Sequence, residues 1–169
     1  MITQEYINQA KVLYSVGNYR ESINKYKEAQ KKNPMDIDIY FGLSASYIML
    51  EDFISAEECL NNILLIDKDN AKAYFYLGNI KFLQDNQQDG KEAYLKAISL
   101  GFSDIDIFIN YAIICEENED YYKALKYYNK ALSKDKFRAD IMLRKIEILI
   151  GMDKIEEALE NLDLFIQIN

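Results

Sequence analysis

Few side chains in this sequence are of the kinds that carry out catalysis or bind metals. The chain of 169 residues has no histidine, so the commonest general base and metal ligand is absent. Its two cysteines, Cys59 and Cys115, lie far apart, and neither has the nearby second cysteine of a zinc ribbon or a redox dithiol. We therefore expect no metal site, no disulfide and no cofactor.

The segment from Asp85 to Gly90 matches the start of a calcium-binding loop, in which oxygen ligands alternate before a glycine. Lys96 stands where such a loop needs a bidentate glutamate, so we interpret Gly90 as a packing residue within a helix. Adjacent acids such as Glu116 and Glu117 point about 100° apart on a helix and cannot act on one substrate. No catalytic residue is predicted, and the chain is not expected to be an enzyme.

The balance of charge disfavours nucleic acid and anionic lipid as partners. Twenty-eight acidic residues against twenty basic ones give a formal net charge of −8. One basic stripe with interleaved tyrosines has the composition of a surface that binds nucleic acid. That part of the chain has equal numbers of acidic and basic residues, so we interpret the stripe as a solvated helix face. The stripe consists of Lys123, Lys126, Lys130 and Lys134.

No run of residues approaches the roughly 18 apolar residues of a membrane span. The N-terminus also lacks the pattern of a signal peptide. We expect a cytoplasmic protein of bacterial origin that does not interact with membranes.

The chain is organised as a repeat, because residues of similar size and polarity recur at intervals of 34 along its whole length. The predicted units are 3–36, 37–70, 71–104, 105–138 and 139–169, which form a single domain over 1–169. Large residues occupy the fourth and twenty-fourth positions of the units, and small residues occupy the eighth and twentieth. The fourth position, for example, is Tyr6, Tyr40, Tyr74, Phe108 and Met142.

Within each unit the apolar residues are spaced three and four apart, which predicts two helices packed as a hairpin. Residues that cap helix N-termini recur with the same period, at about 1 kcal/mol each. They are Asp36, Asn70 and Asp104 before first helices, and Asn18, Asp52, Asn86 and Asp120 before second helices. Ten helices are therefore predicted.

The residues at these repeated positions make the sequence resemble the tetratricopeptide repeat family. The first unit matches its pattern at Tyr6, Ala10, Ser22, Tyr26, Ala29 and Pro34, and the third at Tyr74, Leu77, Gly78, Gly90, Tyr94 and Ala97. The departures are that Lys68, Phe102 and Lys136 replace the usual proline, and that the fifth unit has Ile146 and Phe165 at small positions. The resemblance implies an all-α, right-handed superhelical solenoid of helix hairpins with a concave groove lined by the first helices.

One stripe of the first helices is unusually apolar, and by the resemblance it would line this groove. It includes Ile7, Tyr14, Ile48 and Leu83, and we expect about half of its apolar residues only to complete helix packing. The predicted ligand-binding residues are Phe41, Met49, Phe75, Tyr76, Asn79, Phe82, Ile109, Asn110, Ile113, Leu143 and Arg144. Acidic residues lie toward the C-terminal half of the stripe, namely Asp106, Glu116, Asp140 and Glu147.

The predicted function is that of an adaptor or scaffold, which holds a peptide or helix of a partner protein in the groove. The ligand would carry apolar anchors and basic residues. Two alternatives remain open: a non-catalytic module of a larger enzyme or of a secretion or assembly protein, and a self-associating structural repeat protein. The last would form a homodimer through the apolar C-terminal helix, at Leu159, Ile166 and Ile168.

Overall fold

The structure, a computed structural model, describes residues 2–168. These residues form ten α-helices and no strand, and successive helices pair as hairpins. The helices are α1 (Ile2–Ser15), α2 (Tyr19–Lys32), α3 (Ile37–Ile48), α4 (Phe53–Ile66), α5 (Ala71–Leu83), α6 (Gln87–Ser99), α7 (Ile105–Glu117), α8 (Tyr121–Lys134), α9 (Ala139–Gly151) and α10 (Ile155–Ile168). This is the predicted all-α repeat fold.

The helices keep the period of the sequence to the residue. The first helices of hairpins two to five begin at Ile37, Ala71, Ile105 and Ala139, each 34 residues after the one before. The second helices begin at Tyr19, Phe53, Gln87, Tyr121 and Ile155, with the same interval.

Six of the seven predicted caps form hydrogen bonds to the backbone at helix starts. Asp36, Asp52, Asn70, Asn86, Asp104 and Asp120 each accept from a backbone N–H two or three residues further on. Asn18 stands before α2 but its side chain makes no such bond. At the start of α9 the equivalent residue is Arg138, whose side chain makes no capping bond because it has no acceptor.

The turn inside each hairpin repeats as well, and it uses the left-handed backbone region. The residues at this place are Gly17, Glu51, Asp85, Glu119 and Asp153, with φ between 58° and 80°. In the second hairpin the N–H of Asp52 donates to the carbonyl of Tyr47, which closes the end of α3 while Asp52 also caps α4. One residue thus ends one helix and begins the next, which keeps the turn short. The segment at Asp85 forms this turn, and Gly90 is buried within α6 as predicted.

Tyrosines at the fourth position join the second and third hairpins to the connections before them. The hydroxyl of Tyr40 donates to the carbonyl of Pro34 at 2.9 Å, and that of Tyr74 donates to the carbonyl of Lys68 at 3.3 Å. Because the acceptor is a backbone carbonyl, Lys68 can replace the family's proline here without loss of this bond.

The chain forms two compact units, Met1–Gly101 and Phe102–Asn169. In the first, small residues such as Ala10, Ala29 and Ala56 are fully buried among larger ones such as Leu60. Helices approach so closely at Gly42 that a Cβ there would lie 2.1 Å from the Tyr26 ring. In the second, the core includes the fully buried Tyr128, Ala112 and Cys115.

Candidate functional site

A pocket of about 330 Å³ lies in the first unit, on the first helices of three successive hairpins. Ten described residues line it: Tyr14 from α1; Phe41, Ser44, Ala45, Ile48 and Met49 from α3 and its end; and Lys72, Tyr76, Asn79 and Leu83 from α5. A larger depression of about 750 Å³ along α1 and α2 is more open and lined mostly by polar side chains. We place the candidate site in the smaller pocket because it is more enclosed and has aromatic walls.

Helical spacing sets which side chains reach this pocket. On α3, Phe41, Ala45 and Ile48 follow at intervals of four and three residues, so they share one face. On α5, the intervals among Tyr76, Asn79 and Leu83 are three and four. Because the hairpins repeat every 34 residues, the equivalent faces of α1, α3 and α5 contribute to one pocket.

Aromatic rings form the wall between α3 and α5. The rings of Phe41 and Tyr76 meet edge to face, with centroids 5.8 Å apart. The ammonium of Lys72 lies 4.6 Å from the centroid of the Phe41 ring and 5.8 Å from that of Tyr76. The cation therefore sits over the aromatic wall, where the negative faces of the rings stabilise it.

Two polar groups at the pocket differ in how they are satisfied. The hydroxyl of Tyr94 donates to Oδ1 of Asn79 at 2.7 Å, which fixes the orientation of this amide. Ser44 is only 2% exposed, and its Oγ has no hydrogen-bond partner among the described residues. A buried hydroxyl without a partner costs about 1–3 kcal/mol of stability.

Four of the predicted ligand-binding residues line the pocket: Phe41, Met49, Tyr76 and Asn79. Tyr14, Ile48 and Leu83 of the apolar stripe line it as well. Phe82 is partly buried and lies outside the lining.

Phe75, which was also predicted to bind the ligand, does not line the pocket. Phe75 is 7% exposed and packs on the rings of Tyr76 and Tyr94, with centroids 5.3 and 6.1 Å away. Ile7 is likewise buried, at 3% exposed. Both belong to the core, because a neighbouring helix covers the edge of the stripe on which they lie.

The remaining predicted residues are in the second unit. Ile109, Asn110 and Ile113 on α7 are partly buried, while Leu143 and Arg144 on α9 are exposed. Arg144 is not isolated, because its NH1 donates to both oxygens of Glu116 at 3.2 and 3.3 Å.

Two of the four acids predicted on the stripe form ion pairs with arginines, which offset their negative charge. Glu116 accepts from Arg144 and also from the hydroxyl of Tyr128 at 2.6 Å. Burial, and then this hydrogen bond, raise the pKa of Tyr128 above its ordinary value. Asp140 accepts from two nitrogens of Arg138 at 2.9 and 2.8 Å, and this contact lowers the pKa of Asp140. Of the four acids predicted on the stripe, Asp106 and Glu147 are exposed and form no ion pair among the described residues.

Ser44, Ala45 and Lys72 also line the pocket and were not among the predicted ligand-binding residues. Ser44 is at a position that packing reserves for small side chains, so its size alone explained its presence. Its hydroxyl was the available signal, because the equivalent residues are Ala10, Gly78, Ala112 and Ile146, none of which is polar.

Two family models match the sequence. A model described as TPR repeat matches residues 10–50, and one described as tetratricopeptide repeat matches residues 105–136. Among curated proteins, the chain is similar to the BBSome complex member BBS4 of Bos taurus, with 27% identity over 126 residues. This match covers 75% of the chain but only 24% of that protein, so the chain spans about a quarter of its relative's length.

Solved structures with this fold include MamA, which matches with a TM-score of 0.83 and 21% identity over 98% of the chain and 91% of MamA. YrrB matches with a TM-score of 0.75 and 21% identity over 97% of the chain and 84% of YrrB. YrrB is described as a TPR protein with an unusual peptide-binding site. At these identities the likeness establishes the fold alone. No helix among the described residues is long and apolar enough to cross a membrane.

Proposed function

We infer that this chain, a tetratricopeptide repeat protein, binds a peptide or helix of a partner protein on the first helices of its hairpins. The observation that carries this proposal is the aromatic pocket of about 330 Å³ between α1, α3 and α5. Its size is at the lower end of ligand sites, which suits one or two side chains of a peptide. The role is that of a non-enzymatic adaptor in the cytoplasm.

In the first unit, the apolar anchors of the ligand are proposed to contact Phe41, Tyr76 and Met49. Buried aromatic contacts of this kind carry most of the binding energy in protein interfaces. Ile109, Ile113 and Leu143, with Asn110 and Arg144, would make the corresponding contacts in the second unit. Basic residues of the ligand are proposed only near Asp106 and Glu147, whose charges no described ion pair offsets.

Selection from a displayed library of random peptides, followed by titration of the selected peptides, tests this function. We expect Phe41→Ala with Tyr76→Ala to weaken binding by about 30-fold or more, because such anchors contribute about 2 kcal/mol or more. Met49→Glu, at a side chain already 48% exposed, places a charge in the pocket with little loss of core packing and should weaken binding too.

The matched control is Ile54→Ala with Leu65→Ala on α4. These side chains are 80% and 84% exposed and lie outside the pocket, so the double variant should bind like the unchanged protein. Circular dichroism would establish that each variant is folded. Selected peptides that bind the pocket variants as tightly as the unchanged protein would refute this function.

Self-association is a second proposed role, because α10 exposes several large apolar side chains. Leu159 is 56% exposed, Leu164 47% and Ile166 65%, and burial of each would contribute about 1.5–3 kcal/mol. The side chain of Ile168 lies outside the described residues. A module of a larger enzyme or of a secretion or assembly protein remains a further proposal, consistent with the short share of BBS4 that is matched.

We expect the protein to dimerise through α10 at concentrations of tens of micromolar. The double substitution Leu159→Glu with Ile166→Glu should make it monomeric, because it places charges on the surface that the dimer would bury. Sedimentation equilibrium measures this directly. A protein that is monomeric before substitution would rule out the homodimer.

A further inference from the structure

Ser44 has a hydroxyl that the fold does not use. The residue packs in a position where Ala10 and Ala112 serve in other hairpins, so the hydroxyl is not needed for packing. Its Oγ is buried and has no hydrogen-bond partner among the described residues. Buried polar groups are nearly always satisfied, so this hydroxyl has bonding capacity for a group that enters the pocket.

Tyrosine hydroxyls satisfy the polar atoms of first helices elsewhere in this protein. The hydroxyl of Tyr94 reaches Asn79 at the wall of the same pocket, and that of Tyr128 reaches Glu116. In the second hairpin the residue equivalent to Tyr94 and Tyr128 is Leu60, which has no hydroxyl. Ser44 is therefore in a hairpin that lacks the internal phenol.

The walls of the pocket also fit an aromatic side chain. The edge-to-face pair of Phe41 and Tyr76 provides a surface on which a third ring can pack, and Ile48 and Leu83 complete an apolar lining. Among the ten described lining residues, Lys72 is the one with a charge. Its ammonium lies over the rings and is exposed, so a carboxylate near the inserted ring would be attracted to it.

We propose that the pocket binds a tyrosine side chain of a partner peptide, whose phenol hydroxyl hydrogen-bonds Ser44 Oγ while an adjacent acidic residue pairs with Lys72. The serine and phenol hydroxyls can each donate and accept, so one bond satisfies both. This assignment rests on the proposed function and names the residue that the ligand inserts.

A blocked peptide of sequence Ala-Glu-Tyr-Glu-Ala is the probe, titrated by NMR with the methyl group of Met49 as the local reporter. We expect it to shift the Met49 resonance and to bind about fivefold more tightly than the matched peptide with phenylalanine, because a neutral hydrogen bond is gained. Replacing both glutamates of the probe by lysine should weaken binding about threefold, as for an exposed ion pair.

Ser44→Ala distinguishes the hydroxyl from the rest of the pocket. In this variant we expect the preference for tyrosine to disappear, so that the tyrosine and phenylalanine peptides bind about equally. Without peptide, the variant should unfold about 2–4 °C higher, since an unsatisfied buried group has been removed. An unfolding temperature that stays the same or falls would contradict the premise that the hydroxyl of Ser44 has no partner.

Equal affinities for the two peptides with the unchanged protein, or a tyrosine preference that persists in Ser44→Ala, would overturn the proposal. In either case library peptides that are lost on Met49→Glu would leave the proposed function standing. If neither probe nor library peptides bind, both fail.

Discussion

Gly78→Ala is expected to lower the free energy of unfolding by about 2 kcal/mol or more. A Cβ at this position in α5 would lie 2.4 Å from both Cδ1 and Cε1 of the Tyr94 ring. Tyr94 is fully buried and its hydroxyl is held by Asn79, so the ring cannot move aside. Overpacking of this kind costs about 3 kcal/mol, of which the better helix propensity of alanine recovers at most about 1 kcal/mol.

Gly90→Ala is the matched control, because it also replaces a glycine inside a helix. Here the nearest atom to the added Cβ is the carbonyl oxygen of Gly78 at 3.4 Å, which is an ordinary contact. The equivalent residues are Ser22, Ala56, Ala124 and Ala158, so this variant should gain about 0.5–1 kcal/mol. Urea denaturation of both variants measures the difference, and equal stabilities would show that Tyr94 adapts.

The second large effect is unfolding at alkaline pH. Burial is the main cause that raises the pKa of Tyr26, Tyr111, Tyr127 and Tyr128 above the ordinary value of 10.0. Burial also raises the pKa of Cys59 from 9.0 to about 12. These five groups are therefore kept in their neutral form by the fold.

A raised pKa means that the folded state holds its proton more tightly than the unfolded state. The stability is thus fully present below the ordinary pKa of each group and is lost as pH rises toward the folded pKa. The loss begins near pH 9.0 for Cys59 and near pH 10.0 for the tyrosines. Each group contributes up to about 1.4 kcal/mol per pH unit, so we expect cooperative unfolding above about pH 10.

Urea denaturation at a series of pH values, followed by circular dichroism, measures this loss. Cys59→Ala is the control, because it removes a group whose ordinary pKa is 9.0, so the part of the decline below pH 10.0 should become smaller. A free energy of unfolding that stays constant up to about pH 11 would show that burial does not hold the phenols in their neutral form.

The repeat and its local structure follow from the sequence alone. A 34-residue period, apolar spacing of three and four residues, and recurring caps such as Asp52 and Asp120 are local signals, and local signals determine where helices begin. The helix starts were therefore predictable to within a residue or two. The missing capping bond of Asn18 was not predictable. Its backbone angles are close to those of Asp52 and Asp120, which do cap their helices, so the difference lies in the side chain and not in the backbone.

The tertiary structure decided which residues of the predicted stripe are accessible. Phe75 and Tyr76 are adjacent in sequence and similar in size, yet one is in the core and the other lines the pocket. Helical periodicity places a residue on a face, but the edge between core and surface depends on what the neighbouring helix brings to it. Likewise, only the assembled hairpins pair Arg144 with Glu116 and leave the hydroxyl of Ser44 without a partner, because these outcomes depend on distances between separate helices.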